Sequence, residues 1–167
     1  MIVEGRVAWI FPDNFDADFI VGVENISTTD TEILKAAVMK NYEPDFTQKI
    51  KEGDIIVAGK NFGYGHPHPQ PMIGLRGWGI NVVIAESFFH VFYRGEIASG
   101  SKMFVSPGIT KNVERWDELH LDTEKAILIN KTKNKEIAID PIGKYPLYLM
   151  EHNVMEFIHA IKSGAIT

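Results

Sequence analysis

No cysteine occurs among the 167 residues. Without a thiol the chain offers no disulfide and no thiolate ligand for zinc or an iron–sulfur cluster, so any such cluster must belong to a partner. An apolar run near the ~20 residues of a membrane span is also lacking. So is a basic stripe: the net charge of −5 and scattered Lys/Arg leave nothing to neutralise phosphates, which argues against nucleic acid or an anionic membrane as partner. The first residues, MIVEGRVAWIF, interrupt their apolar run with Glu4 and Arg6, too early for a signal peptide. These absences lead us to expect a cytoplasmic protein whose partners are a small molecule or another protein. What remains is ordinary globular composition, 45% hydrophobic and 11% aromatic, with a length that fits one domain over residues 1–167.

Short β-branched runs set the organisation. Residues 3–11 read as a strand, followed by the acidic loop PDNFDAD; IIVAG after Gly53-Asp54 and VVIAE after Asn81 read as strands covered on both faces. Residues 31–41 predict a helix with Asp30 as N-cap. The weak helix MIGLRGW between the two buried runs makes a βαβ unit and hence a parallel pair. Residues 90–98 predict a helix, 103–105 a short strand, and ELHLD with AILIN a hairpin turning at residues 122–125, so the sheet mixes both senses. Leu147, Met150, Val154, Phe157, Ile158 and Ile161 recur at helical spacing before a Ser163-Gly164 stop, and that stripe is expected to bury in the core.

Chemistry concentrates in KNFGYGHPHPQP, residues 60–71. A Gly63-Tyr64-Gly65 turn between a buried strand and a helix suits anion binding by free backbone N–H groups, although two glycines can equally make a tight turn. Pro67, Pro69 and Pro71 fix their own φ and push His66, His68 and Gln70 toward extended backbone, which puts both histidines on one side. Paired imidazoles suit three chemistries: holding a carboxylate, acid–base work, or binding a metal. A solvated surface loop is the alternative. The acidic segment offers Asp13, Asp16 and Asp18, but without the glycine and distal glutamate of a calcium loop, so turn-making or capping competes with cation binding there. Trp9 and Trp78 are expected in the core, Trp116 partly at the surface, and Arg76 and Arg94 in structural ion pairs or solvated.

Together RVAWIFPDNFDADFIV, KEGDIIVAGKNFGYG and GINVVIAESFFHVFYRGEIASG resemble, in order, the small subunits of 3-isopropylmalate dehydratase in the aconitase superfamily. The resemblance implies an α/β fold, a swivelling β/β/α domain with a mixed sheet of the aconitase C-terminal kind. It also implies a hydro-lyase that works only with a large subunit. That partner would carry a four-iron four-sulfur cluster whose iron acts as Lewis acid on the hydroxyl of a small hydroxy-dicarboxylate. No cofactor or metal is expected in this chain.

Carried over residue by residue, the match is incomplete. The family's serine-serine-arginine-glutamate run falls on His66, Pro67, His68 and Pro69, and Pro67 has no group able to act as the serine base. His68, at the arginine's place, would then bind a substrate carboxylate when protonated while His66 or Tyr64 takes over proton abstraction, with Asp18, on the family's active-site aspartate, orienting the loop. Asn61, Gly63, Gly65 and Gln70 are the expected substrate-binding positions of the loop. Asn25 and Ile26 stand near where the family meets the substrate's side chain. A scaffold or metal-binding module that keeps the swivel fold is the competing reading.

Overall fold

In the computed structural model, which describes residues 1–166, β2 (Ile55–Ala58, IIVA) and β3 (Val82–Ala85, VVIA) are buried along their whole length. Runs of β-branched residues without polar alternation are what a strand covered on both faces requires. The two lie parallel, from Ile55 opposite Val82 to Ala58 opposite Ala85. β4 (Lys102–Val105) flanks β3 and β1 (Ile2–Phe11) flanks β2, both parallel to their neighbours. β5 (Glu118–Asp122), β6 (Ile127–Asn130) and β7 (Lys135–Ile137) follow as an antiparallel run beginning beside β1. The result is one seven-stranded mixed sheet ordered β4-β3-β2-β1-β5-β6-β7.

β1 joins the two halves. Its first residues, Ile2 to Arg6, pair with β5, while Val7 to Phe11 pair with β2 across a register shift between Val7 and Trp9. An extra residue at such a point bends a strand and raises its twist, which lets one strand serve both senses of pairing.

The helices are α1 (Thr31–Ala37), α2 (Phe46–Lys49), α3 (Gln70–Arg76), α4 (His90–Ala98) and α5 (Lys144–Lys162). Asp30 caps α1 as expected, accepting from the N–H groups of Glu32 at 2.9 Å and Ile33 at 3.3 Å. α1 is shorter than its pattern, because Val38 turns to ψ 120° and Met39 to φ 57°. Neither α2 nor β7 was anticipated; α2 is a single turn, and β7 (KEI) buries only Ile137. α3 begins at Gln70, so that residue is helical rather than extended. Pro71 there occupies the first turn, where its missing N–H has no helical partner to lose.

α5 corrects a second expectation. It breaks at Asn153 (φ 60°, ψ 173°), whose Oδ1 accepts from the N–H of Met155 at 2.9 Å and of Glu156 at 3.3 Å and so caps the second half. Of the apolar stripe only Met150 is fully buried; Val154 is 38%, Ile158 38% and Ile161 50% exposed. The break redirects the stripe after Met150, the one fully buried residue of α5, and the helix as a whole packs against α4 and β4.

Candidate functional site

Three segments meet beyond the carboxyl ends of the parallel strands: residues 12–20 after β1, 59–69 after β2 and 86–89 after β3. This is where open α/β sheets place their ligand sites. Main-chain bonds tie the segments together, Gly63 N–H to Phe15 O at 3.0 Å, Phe62 N–H to Ser87 O at 3.0 Å and Phe89 N–H to Phe62 O at 2.9 Å. Beneath them Phe11, Phe15 and Phe62 stack, with centroids 4.2 Å apart for Phe11–Phe15 and 5.5 Å for Phe11–Phe62. A rigid aromatic floor of this kind holds the loops against a packed core.

The three aspartates do separate work. Asp13 Oδ1 accepts the Lys60 N–H at 2.7 Å, clamping the second loop to the first. Asp16 caps the 3-10 turn Ala17–Ile20 by accepting the Asp18 N–H at 3.0 Å. That turn carries Asp18 inward, to 4% exposure. Both its oxygens go to one residue: Oδ2 lies 2.7 Å from His68 Nδ1, and Oδ1 accepts the His68 N–H at 3.2 Å.

A carboxylate only accepts, so Nδ1 carries the proton and a neutral His68 ring presents an unprotonated Nε2. With side-chain and main-chain bonds to the same aspartate, His68 is fixed in tautomer and position together. The His66 ring stands close by, its centroid 5.2 Å from that of His68, as the alternation of His and Pro predicts.

Glycine is required at two places in the turn. At Gly63 (φ 80°) an added Cβ would stand 2.2 Å from Cγ of Phe92, and at Gly65 (φ 103°) 2.9 Å from Oδ2 of Asp16. Asn61 adopts φ 56° and serves the turn, donating from its side chain to Asn14 Oδ1 at 2.9 Å and from its N–H to Ser87 Oγ at 2.8 Å. Tyr64 is exposed and edge-on to Phe89. Thus Asp18, His66 and His68 come together, with Gly63 and Gly65 shaping the turn that delivers the histidines.

Gln70, Asn25 and Ile26 do not join them. Gln70 is buried and donates to Thr28 O at 3.2 Å, tying α3 to the loop before α1, and its Oε1 has no partner among the described residues. The Asn25 side chain donates to Val21 O at 2.7 Å while its N–H closes a 3-10 turn onto Gly22 O at 3.0 Å, and Ile26 follows as the cap. Asn25 lines a different cavity, beside α1, which shares no wall with the histidine loop.

Sequence reasoning missed Ser87, Thr28 and Glu96. Ser87 is legible only as part of VIAESF, and Thr28 acts through its main chain, which no side chain announces. Glu96 sits inside α4, buried, with its Oε2 accepting from Arg76 at 3.0 Å and Ser101 at 2.8 Å. Burial pushes its carboxyl above the usual range, partly offset by Arg76. The structural ion pair expected for Arg76 is therefore present; Arg94 is exposed. Among the described residues no group of three or more His, Asp or Glu side chains could hold a metal ion. With no cysteine either, nothing here fits an iron–sulfur cluster.

A family model described as the aconitase C-terminal domain matches residues 13–101, a span that contains these loops from Asp13 onward. Over 150 residues the chain is 38% identical to the isopropylmalate/citramalate isomerase small subunit of Methanocaldococcus jannaschii, covering 90% of this chain and 89% of that one. It is 40% identical over 137 residues to the 3-isopropylmalate dehydratase small subunit of Aquifex aeolicus, covering 81% of each. The crystal structure of a 3-isopropylmalate dehydratase from Methanocaldococcus jannaschii superposes with a TM-score of 0.86 at 30% identity, covering 99% of this chain and 98% of the other. The chain therefore belongs to the aconitase C-terminal domain family, in the branch of the 3-isopropylmalate dehydratase small subunits.

Proposed function

We propose that this chain is the small subunit of a hydro-lyase that adds and removes water across two carbons of a small hydroxy-dicarboxylate, with the Asp18–His68 pair as its proton-transfer group. The observation that carries the reading is the pairing itself: a buried carboxylate fixing both the ring and the main chain of one histidine, in the loop where the family binds substrate. Removing water requires abstraction of a C–H proton and departure of hydroxide. His68 Nε2 is the base for the first; Asp18 holds the tautomer and stabilises the imidazolium that forms. In the reverse direction the imidazolium returns the proton. His66 and the N–H groups of the Gly63–Gly65 turn bind a substrate carboxylate beside it.

The departing hydroxide is left to a large partner subunit, which would bear the four-iron four-sulfur cluster; this chain has no cysteine, and among its described residues no group of three or more His, Asp or Glu side chains could hold a metal ion. In this reading the complex works in the cytoplasm as one hetero-oligomer, and residues 1–167 act as a single swivel domain. The test is anaerobic co-purification of the chain with its cluster-bearing partner, followed by ultraviolet detection of dehydration of 3-isopropylmalate and citramalate. Turnover of at least one, reduced 10²-fold or more by His68→Gln, is expected. A pure, cluster-loaded complex that turns over neither would refute the reading.

A further inference from the structure

Two asparagines near the site hold the left-handed conformation that glycine takes without strain, Asn14 at φ 53° and Asn61 at φ 56°. They stand in different loops, one after β1 and one after β2. Their side chains meet, Asn61 Nδ2 donating to Asn14 Oδ1 at 2.9 Å. Asn153, also left-handed, spends its side chain differently, on the cap of its own helix. Glycine would meet the backbone demand at 14 and 61 equally well; what asparagine adds there is a directional bond between the two loops.

That bond is one rung of a ladder. Along the loops in order, Asp13 Oδ1 accepts the Lys60 N–H at 2.7 Å, the Asn14 N–H donates to Lys60 O at 2.7 Å, the asparagine side chains pair, and the Gly63 N–H donates to Phe15 O at 3.0 Å. The last rung is Asp18 with His68, at 2.7 Å to Nδ1 and 3.2 Å to the main-chain N–H. Asn61 is also held by the third loop, its N–H donating to Ser87 Oγ at 2.8 Å. All three loops are thus fastened at one residue.

Packing alone does not set the register of this ladder. Phe15 and Phe62, the residues after the two asparagines, stack with centroids 6.2 Å apart and planes 8° from parallel. Such a stack fixes the spacing of the loops but lets the rings slide, because apolar contact is non-directional. The main-chain rungs on either side depend on left-handed turns at 14 and 61, which bare glycines would leave loose. A hydrogen bond between the side chains resists sliding and holds both turns at once. The register it sets decides whether Asp18 meets Nδ1 of His68 or misses it.

We propose that Asn14 and Asn61 are positioning residues, a lock that sets the register of the first two loops and so aligns Asp18 with the His68 ring. In this role Asn61 acts through His68 and not on the substrate. The proposal rests on the hydro-lyase reading for the reaction it serves, and a measurement on the isolated chain separates the two. Nitrogen NMR of the neutral His68 ring is expected to show the proton on Nδ1 alone. Asn14→Gly and Asn61→Gly, which accept the left-handed φ but lack the bond, are expected to mix the two tautomers with unchanged circular dichroism. Asn14→Asp, whose carboxylate still accepts from Asn61 Nδ2, is expected to restore the single tautomer. In the complex with the large subunit, Asn61→Gly is expected to lower kcat by about 10–10²-fold with KM little changed, the order that a misplacement of about 1 Å can cause, and Asn14→Asp to retain most of the rate that Asn14→Gly loses. A single Nδ1–H tautomer in both glycine variants would overturn the lock, as would equal losses in Asn14→Asp and Asn14→Gly. Unfolding of both glycine variants would assign the pair to the stability of the fold and overturn it too. Mixed tautomers alongside a wild-type complex that turns over nothing would leave the lock standing and refute the hydro-lyase reading.

Discussion

Asp18→Asn keeps the shape of the site but replaces an oxygen that accepts from His68 Nδ1–H with an amide able to donate. The ring then settles in the other tautomer, with Nδ1 as acceptor and its proton on Nε2, where a base is needed. Activity of the complex is expected to fall by about 10²–10⁴-fold, mainly in kcat, the range associated with losing a positioned general base. Steady-state kinetics with unchanged circular dichroism checks it. A loss confined to KM would mean that Asp18 serves binding and not proton transfer. Gly63→Ala fails for a different reason, since it meets both a left-handed φ and the Phe92 ring. The two effects together are expected to cost about 2–5 kcal/mol, summing a 1–2 kcal/mol backbone penalty and a 1–3 kcal/mol overpacking penalty. Urea midpoints of the purified variant measure it.

Elements were legible in the sequence where their residues carry a period or a cap. β2 and β3 announce themselves as unbroken β-branched runs, α1 by Asp30, and the mixed sheet by the contrast between those runs and the alternating ELHLD. α2 and β7 were hidden because one turn of helix and a three-residue edge strand bury a single apolar residue each, too little for any periodicity. The α5 stripe misled because helical spacing reports which residues share a face; it does not report where the axis points once Asn153 adopts φ 60°. Asn153→Ala should therefore cost about 1 kcal/mol, as loss of a helix cap does, and Asn153→Gly less, since glycine accepts that φ. Hydrogen exchange is expected to show the loss at residues 154–162 with little change at 144–152. Equal loss along both halves would argue that α5 behaves as one unbroken helix. In the site, the histidines and Asp18 were readable from spacing and family likeness. The inward turn that pairs Asp18 with His68 was not, because it depends on Asp16 capping a 3-10 turn only one residue further along the chain.

At the scale of the whole molecule, distant segments are fastened by a basic residue between aromatic rings. Arg115 lies 4.7 Å from the Trp9 ring and 4.5 Å from the Trp116 ring, donates to Ala8 O at 2.8 Å, and pairs with Glu43, which also accepts from Lys49 at 2.6 Å. The Arg115 guanidinium, aided by Lys49, holds the Glu43 carboxyl down at about 2, against an ordinary value of 4.5. The folded state thus favours ionised Glu43 more than the unfolded chain does. Its contribution is complete above pH 4.5 and is lost as pH falls through about 2. Denaturant midpoints measured between those limits should decline with falling pH, and Glu43→Gln should flatten that decline while lowering stability at neutral pH. An unchanged slope would show that other carboxylates dominate acid unfolding.

Proton transfer through His68 is the claim on which the functional reading turns, and isotope exchange tests it without requiring water to leave. The assembled complex, incubated with a substrate it turns over in deuterium oxide, is expected to exchange the abstracted C–H for deuterium as fast as or faster than it releases product, and His68→Gln is expected to abolish that exchange while substrate still binds. Exchange at the wild-type rate in the His68→Gln complex would contradict the account and assign the base to another residue.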